Sequence, residues 1–463
     1  MLRHPIRNIL LIGLIIRIVL ALIAVWPDTE YFQLLSLRTI ISPGAGAPFD
    51  NIYPATWITL ISLPLVLILQ FVDPSHLTVP LSNGFLQTVA NMTSLATPLA
   101  MVAIKLPLIV ADILVGLLIY TIVRRLAGDK KAKFAFALWF LSPMVIIESC
   151  IFGQYDVIVA LLSLLAAYLI TRKSYIEAGV AFSLGFLFKP LNLFFGISIG
   201  IFLLWFGFMS LSDRSSTIKE KYKIRLRWLA GCKPLAKFAA GCIIPVIAFL
   251  PGGQLLGIGQ SATTRLTWPQ LGGINLWFIE LIPLRISQSI FTWGHLHYPS
   301  VLIGFLVIGA LFITLLTTIT VRRQGDFSQS IYLLAVIALL LFPILYTYTG
   351  AHYYIPLLAF MAVTIPLLHL SVFVYGLLNF SLVAWTLALL GPVIIWLPLA
   401  VNWDIIPWEP MVNWTMQYLS LPGLFNKNAS LDIRLIAIII ALTCLISITI
   451  TSVRNLKPRN KYI

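Results

Sequence analysis

Charge is what this chain has least of. Only 10% of its 463 residues are charged and just 16 are acidic, against roughly 25% charged in a soluble domain. A fold solvated by water on all sides is therefore excluded. Cysteine is nearly as sparse: Cys150, Cys232, Cys242 and Cys444 lie far apart without zinc-ligand spacing, so neither a disulfide framework nor a metal knuckle is expected. Internal repetition is missing too, with no repeat and no inverted duplication of the kind many transporters carry. The first apolar run, residues 9–26, ends in "VWPDTE" rather than a small-residue cleavage site, and reads as a retained span instead of a removed signal peptide.

What is present in quantity is hydrocarbon. Sixty per cent of the residues are hydrophobic, and apolar runs of about 20 residues, the length a helix needs to cross a bilayer, recur from residue 9 to residue 453. The expected fold class is an all-α, polytopic membrane protein. The net charge of +15 raises a nucleic-acid partner, but basic residues in such a chain chiefly set orientation; no nucleic acid is expected. Most Lys and Arg fall in clusters: Arg3 and Arg7; Arg124 to Lys133; Arg172 and Lys173; Arg214 to Lys237; Arg322 and Arg323; Arg454 to Lys461. All of these are placed in the cytoplasm.

Parity then threads the chain. Residues 9–26 lead out and 101–123 return. Segment 55–72, bounded or interrupted by Pro64, Asp73, Pro74 and His76 with no Lys or Arg nearby to mark a cytoplasmic turn, is expected to rest at the interface within a long external loop, 27–100. Further spans near 134–148, 156–171, 175–188, 191–209, 238–251, 300–321, 330–345, 353–370, 371–390 and 433–453 bring the total to about twelve, with both termini inside and external segments at 252–299 and 391–432. The chain divides into a module over 1–370 and a C-terminal set of spans over 371–463.

This threading sorts the rare polar residues. Asp28, Glu30, Asp50, Glu148, Asp156, Lys189, Arg265, Glu280, Arg285, His295, His297, His352, Asp404 and Glu409 all fall in external loops or at the outer ends of spans. Solvated loop charge accounts for Asp50, His295, Asp404 and Glu409. It accounts less well for Asp28, Asp156 and Lys189, each within a residue or two of an apolar span, where an ionisable group needs a partner or a function.

The stretch "LSPMVIIESCIFGQYDVIVALLSLLAAYLITRKSYIEAGVAFSLGFLFKP", residues 141–190, resembles the polytopic GT-C glycosyltransferases, in which "NP…GQ.D…KP" punctuates consecutive spans. "DTEYF" at 28–32 is similar to their D-x-[DE]-x-F pattern after the first span. "NIYPATW" at 51–57, "KLPLIVADILVGLLIY" at 105–120, "INLWFI" at 274–279 and "TGAHYYIP" at 349–356 follow in the order that class shows. Two features depart from it: Tyr53-Pro54-Ala55 stands where a YPP is usual, and His352 stands where relatives carry an arginine.

The resemblance implies a mannosyltransferase-like enzyme. It would move a sugar, mannose or glucose, from a polyprenyl-phosphate donor to a lipid-linked or glycan acceptor on the non-cytoplasmic side, with inversion. The host membrane would be the plasma membrane in a prokaryote and the endoplasmic reticulum in a eukaryote. An acceptor hydroxyl attacking an oxocarbenium-like centre needs a carboxylate to take its proton, and Asp28, directed by Pro27 off the end of the first span, is the candidate base. Glu30 either orients, binds a metal or is solvated. The phosphate leaving group needs its charge balanced rather than a proton. Lys189 in "FLFKPLN" is the first candidate for that, against snorkelling to the interface, and Arg265 and His352 supplement it. Gln154 and Asp156 in "GQYD" suit sugar hydroxyls or site architecture. Asn275 and Trp277 offer an amide and a ring, against a membrane-anchor role for Trp277. No cofactor is implied, and a divalent metal stays open. A transporter or flippase of a lipid-linked saccharide is the rival class.

The threading is testable at Ser75. A cysteine introduced there should react with impermeant reagent supplied from the non-cytoplasmic side; reaction only from the cytoplasmic side reverses the topology and the placement of the outer-face residues.

Overall fold

A computed structural model describes residues 4–24, 55–80, 94–212, 220–249, 298–323, 327–346, 350–368, 370–401, 436, 439–444 and 446–451. Helix α1 spans His4–Ile23. Its Leu11, Ile12, Ile15, Ile18 and Val19 are exposed, an apolar stripe suited to lipid. Helix α2, Ala55–Ile68, has 14 residues with Pro64 inside it. At 1.5 Å per residue it is roughly 21 Å long, short of the roughly 30 Å hydrocarbon core. Beyond it Asp73 caps a 3-10 turn, Pro74–Leu77, by accepting from Ser75 N at 2.8 Å and Ser75 Oγ at 2.6 Å. These bonds hold the exposed Asp73 carboxyl below the usual carboxylate range. Strands β1, Thr78–Pro80, and β2, Ser94–Ala96, then pair antiparallel with Val79 opposite Leu95. This ribbon of two three-residue strands, with Pro80 opposite Ser94, is a small addition to a fold that is otherwise helical as expected.

Helix α3, Pro98–Ala127, opens with proline at its first position, where the missing N–H costs nothing, and closes on Arg124 and Arg125, cations at the negative end of the helix dipole. Helix α4, Asp129–Phe140, follows at once. Their corner is held by Tyr120 OH donating to Asp129 Oδ1 at 2.6 Å and by a Lys133–Asp129 ion pair at 2.7 Å. The expected single span 134–148 is broken. Pro143 has no N–H to donate, so α5, Pro143–Ile147, restarts at a 48° bend and runs into a π-turn, Glu148–Phe152.

Helices α6, Asp156–Thr171, and α7, Tyr175–Phe188, come next. A 3-10 turn at Pro190–Asn192 leads to α8, Leu193–Ser212, and α7 and α8 meet at a 120° bend. Helices α9, Glu220–Phe249, α10, Tyr298–Arg323, and α11, Phe327–Leu345, precede a 3-10 turn at Ala351–Tyr354. Helix α12, Ile355–Leu368, is buried all round from Ile355 to Pro366. It forms the centre of the bundle, against α3, α4, α6 and α11. Helix α13, Val372–Val401, continues past residue 390 into what the sequence suggests is an external segment; the run stays apolar, so nothing in it forces an exit to water.

Among the described residues five helices are long and apolar enough to cross a membrane, or up to seven if each bent pair is one span; four shorter apolar helices accompany them. The protein is thus an α-helical polytopic membrane protein, with a span count that depends on how the broken helices are assigned. Helix α9 lies close against α7. A Cβ added at Gly179 would collide with the Phe238 carbonyl oxygen and sit 2.8 Å from Cys242 N, so the crossing needs a residue without a side chain. Gly179→Val should lower stability in detergent by about 3 kcal/mol or more, since backbone has to move. Gly200→Ala, with open space around the new methyl, should stay within about 1 kcal/mol of wild type. Comparable thermal unfolding of the two variants would mean the crossing is loose.

Candidate active site

Three separated segments deliver polar side chains to one buried place. The π-turn turns Glu148 into the bundle at zero exposure. Gly153 ends the turn at φ 64°, the left-handed region a side chain resists, and its N–H donates to Glu148 O at 3.0 Å. Gln154 follows at 4% exposure, and Asp156 at 0% is the first residue of α6. Lys189 stands at the C-terminal end of α7 in extended conformation, the conformation that Pro190 favours in the residue before it. Its Nζ donates to Asp156 Oδ1 at 2.8 Å and Oδ2 at 2.9 Å. The ammonium also packs 3.7 Å above the Tyr353 ring and 5.3 Å from Tyr155. His352 presents its ring to Phe152 at 6.3 Å and to Tyr353 at 4.8 Å.

Helix ends reinforce this pair. A carboxylate at a helix N-terminus and an ammonium at a helix C-terminus each meet the favourable pole of the macrodipole, and Asp156 and Lys189 occupy those positions on α6 and α7. Asn192 locks the bend, donating to Phe182 O at 3.3 Å and to Ser163 Oγ at 3.4 Å. At 5% exposure Lys189 does not snorkel. Two of its three N–H groups are on Asp156, so any anion it meets must share the ammonium with that carboxylate.

The structure therefore brings together Gln154, Asp156, Lys189 and His352. Asp28, Glu30, Arg265, Asn275 and Trp277 lie outside the described residues. Three ionisable groups were missed by sequence reasoning. Arg17 Nε pairs with Asp112 Oδ2 at 2.7 Å with both side chains fully buried, and its guanidinium lies 3.9 Å over Phe140. Ser149 Oγ donates to the same carboxylate at 3.1 Å, joining the network to the π-turn. Lys105, also fully buried, donates to the carbonyls of Ala21 and Ala24 and so caps α1 four residues before Asp28. Their signal was available, because an ionisable residue inside an apolar run is a functional candidate by default. The cluster sits at the opposite end of α6 from Arg172 and Lys173. Among the described residues no three His, Cys, Asp or Glu gather as metal ligands do.

Residues 86–223 match the family model of dolichyl-phosphate-mannose-protein mannosyltransferases. The match covers under a third of the chain, and it contains Glu148, Gln154, Asp156 and Lys189. No curated protein matches the chain significantly. With the apolar helices, the match supports a membrane glycosyltransferase of the GT-C type.

The ion pair makes its own prediction. Lys189→Met strands buried carboxylate and should cost about 3–5 kcal/mol, whereas Lys189→Met with Asp156→Asn removes both charges and should recover most of it. Denaturation of the purified variants reads this; a double variant no more stable than the single one means the two side chains are not coupled.

Proposed function

We propose that this protein transfers a hexose, mannose foremost, from a polyprenyl-phosphate carrier to a hydroxyl of a lipid-linked or glycan acceptor on the non-cytoplasmic face, with inversion at the anomeric carbon. The observation that carries the reading is the buried cluster of Gln154, Asp156 and Lys189 within the stretch similar to mannosyltransferases. A sugar phosphate needs amide and carboxylate partners for its hydroxyls and positive charge beside its phosphate. The cluster, with His352 beside it, supplies both kinds of group.

In this mechanism Asp28 removes the acceptor proton as its oxygen attacks, and the carrier phosphate departs as an anion. Glu30 orients the acceptor. Lys189, shared with Asp156, offers its ammonium to the phosphate, and Arg265 and His352 complete the balance of its charge. Asn275 and Trp277 complete the sugar contacts. Basic clusters at the opposite ends of the helices support the non-cytoplasmic side. Helices broken at Pro143 and Pro190 are also what transporters place around a substrate, which keeps a lipid-linked-saccharide transporter as the second reading.

Purified protein in detergent with radiolabelled polyprenyl-phosphate mannose and a lipid-linked oligosaccharide acceptor separates the two. Transfer is expected, and Asp28→Asn should reduce its rate by about a hundredfold to ten-thousandfold with donor binding intact. Glu30→Gln should cost less. Donor flipping in vesicles without any transfer would establish the transporter, and full activity of the Asp28→Asn, Glu30→Gln double variant would remove the base from this segment.

A further inference from the structure

Glu148 is buried beside the ion pair. No donor among the described residues satisfies either of its carboxylate oxygens, and the side chain lies against the carboxylate and the backbone of Asp156. Its electrostatic neighbours are Asp156 and Lys189. Two carboxylates and one ammonium leave one negative charge in excess in a place with no water exposure, and two such acids side by side do not both ionise. A proton held between them removes the excess, as in other buried carboxylate pairs.

No other described charge supplies the balance. The π-turn packs on α1, α3 and α6. On α1 and α3, Arg17 and Asp112 are closed on each other and Lys105 is turned to the carbonyls ending α1. On α6 the facing charge is Asp156 itself. The Tyr155 and Tyr353 rings cover Lys189, and His352 faces Phe152 and Tyr353. The widened turn that carries Glu148 is a second pointer, since π-turns interrupt helices mostly where function requires it.

We propose that Glu148 and Asp156 share one proton, that Lys189 neutralises the charge left on the pair, and that this neutral cluster is the state that admits the anionic phosphate of the donor. The inference rests on the donor reading proposed above. Its consequence is a proton linkage. As pH rises and the proton leaves, the cluster becomes net negative and repels phosphate, so donor affinity falls. Glu148→Gln keeps the shape and makes the neutral state permanent.

Infrared spectroscopy of the protein in lipid nanodiscs, without donor, reads the proton directly. Wild type should show a carboxylic-acid carbonyl band at neutral pH that shifts in D2O and is lost in Glu148→Gln. If that variant does not fold, Asp156→Asn serves, because Glu148 then faces Lys189 with no charge in excess and the band again disappears. Absence of the band from wild type, or its persistence in a folded variant, overturns the shared proton. Binding of polyprenyl phosphate from neutral to alkaline pH tests the second half: it should weaken at least about tenfold in wild type, within the usual range of site-to-site coupling, and stay level in Glu148→Gln. Parallel profiles, or a level wild-type profile, overturn the link to the donor. The infrared measurement uses no donor, so a failure of sugar transfer, which sinks the transferase reading, leaves it decisive for the proton.

Discussion

An ionised side chain inside an apolar bundle is stable only when an opposite charge, a helix end or a proton compensates it, because desolvation otherwise costs several kcal/mol per ion. The described core meets that requirement in three ways. Arg17 and Asp112 pair across α1 and α3. Lys105 finds the free carbonyls at the end of α1. Lys189 and Asp156 pair at the adjoining ends of α7 and α6, with Glu148 beside them. Each solution joins two elements, so the charges that burden the bundle also determine how its helices are set against one another.

Breaks in the helices make these pairings reachable. A continuous helix through residues 129–152 would carry Glu148 along a regular 3.6-residue face; Pro143 and the π-turn redirect it inward, and Gly153 reverses the chain so that Asp156 starts a new helix facing back. Pro190 does the same for Lys189 by ending α7 in extended backbone. The 3-10 turn ahead of α12 brings Tyr353 onto the ammonium. Three interruptions in otherwise apolar helices thus converge on one buried place, which is how a membrane protein concentrates polar chemistry without exposing backbone to lipid.

The arrangement suits the donor proposed above, which is itself divided between lipid and water. A polyprenyl phosphate keeps its chain in the bilayer and its charged head at the boundary, and the described polar cluster occupies the ends of helices whose other ends carry the basic residues. Lys105 at the close of α1 and the Asp156–Lys189 pair are independent structures, held by different elements. Residues 28–30 follow directly from the first of them, and the stretch similar to mannosyltransferases contains both Lys105 and the pair.

Hydropathy and charge by themselves determined that this chain is a helical membrane protein, because apolar runs of spanning length and clusters of Lys and Arg are one-dimensional properties. Spacing and residue type marked Gln154, Asp156, Lys189 and His352, since a polar residue at the edge of an apolar run stands out without coordinates. Tertiary structure alone decided that Lys189 is closed on Asp156, that Glu148 belongs to the same cluster and that Arg17 meets Asp112. Those pairings join residues 33 and 95 positions apart, and no local pattern encodes which buried charge answers which. The β1–β2 ribbon and the π-turn escaped the sequence for a related reason: three-residue strands are too short to show a period, and one extra residue in a helical turn leaves the apolar pattern almost unchanged.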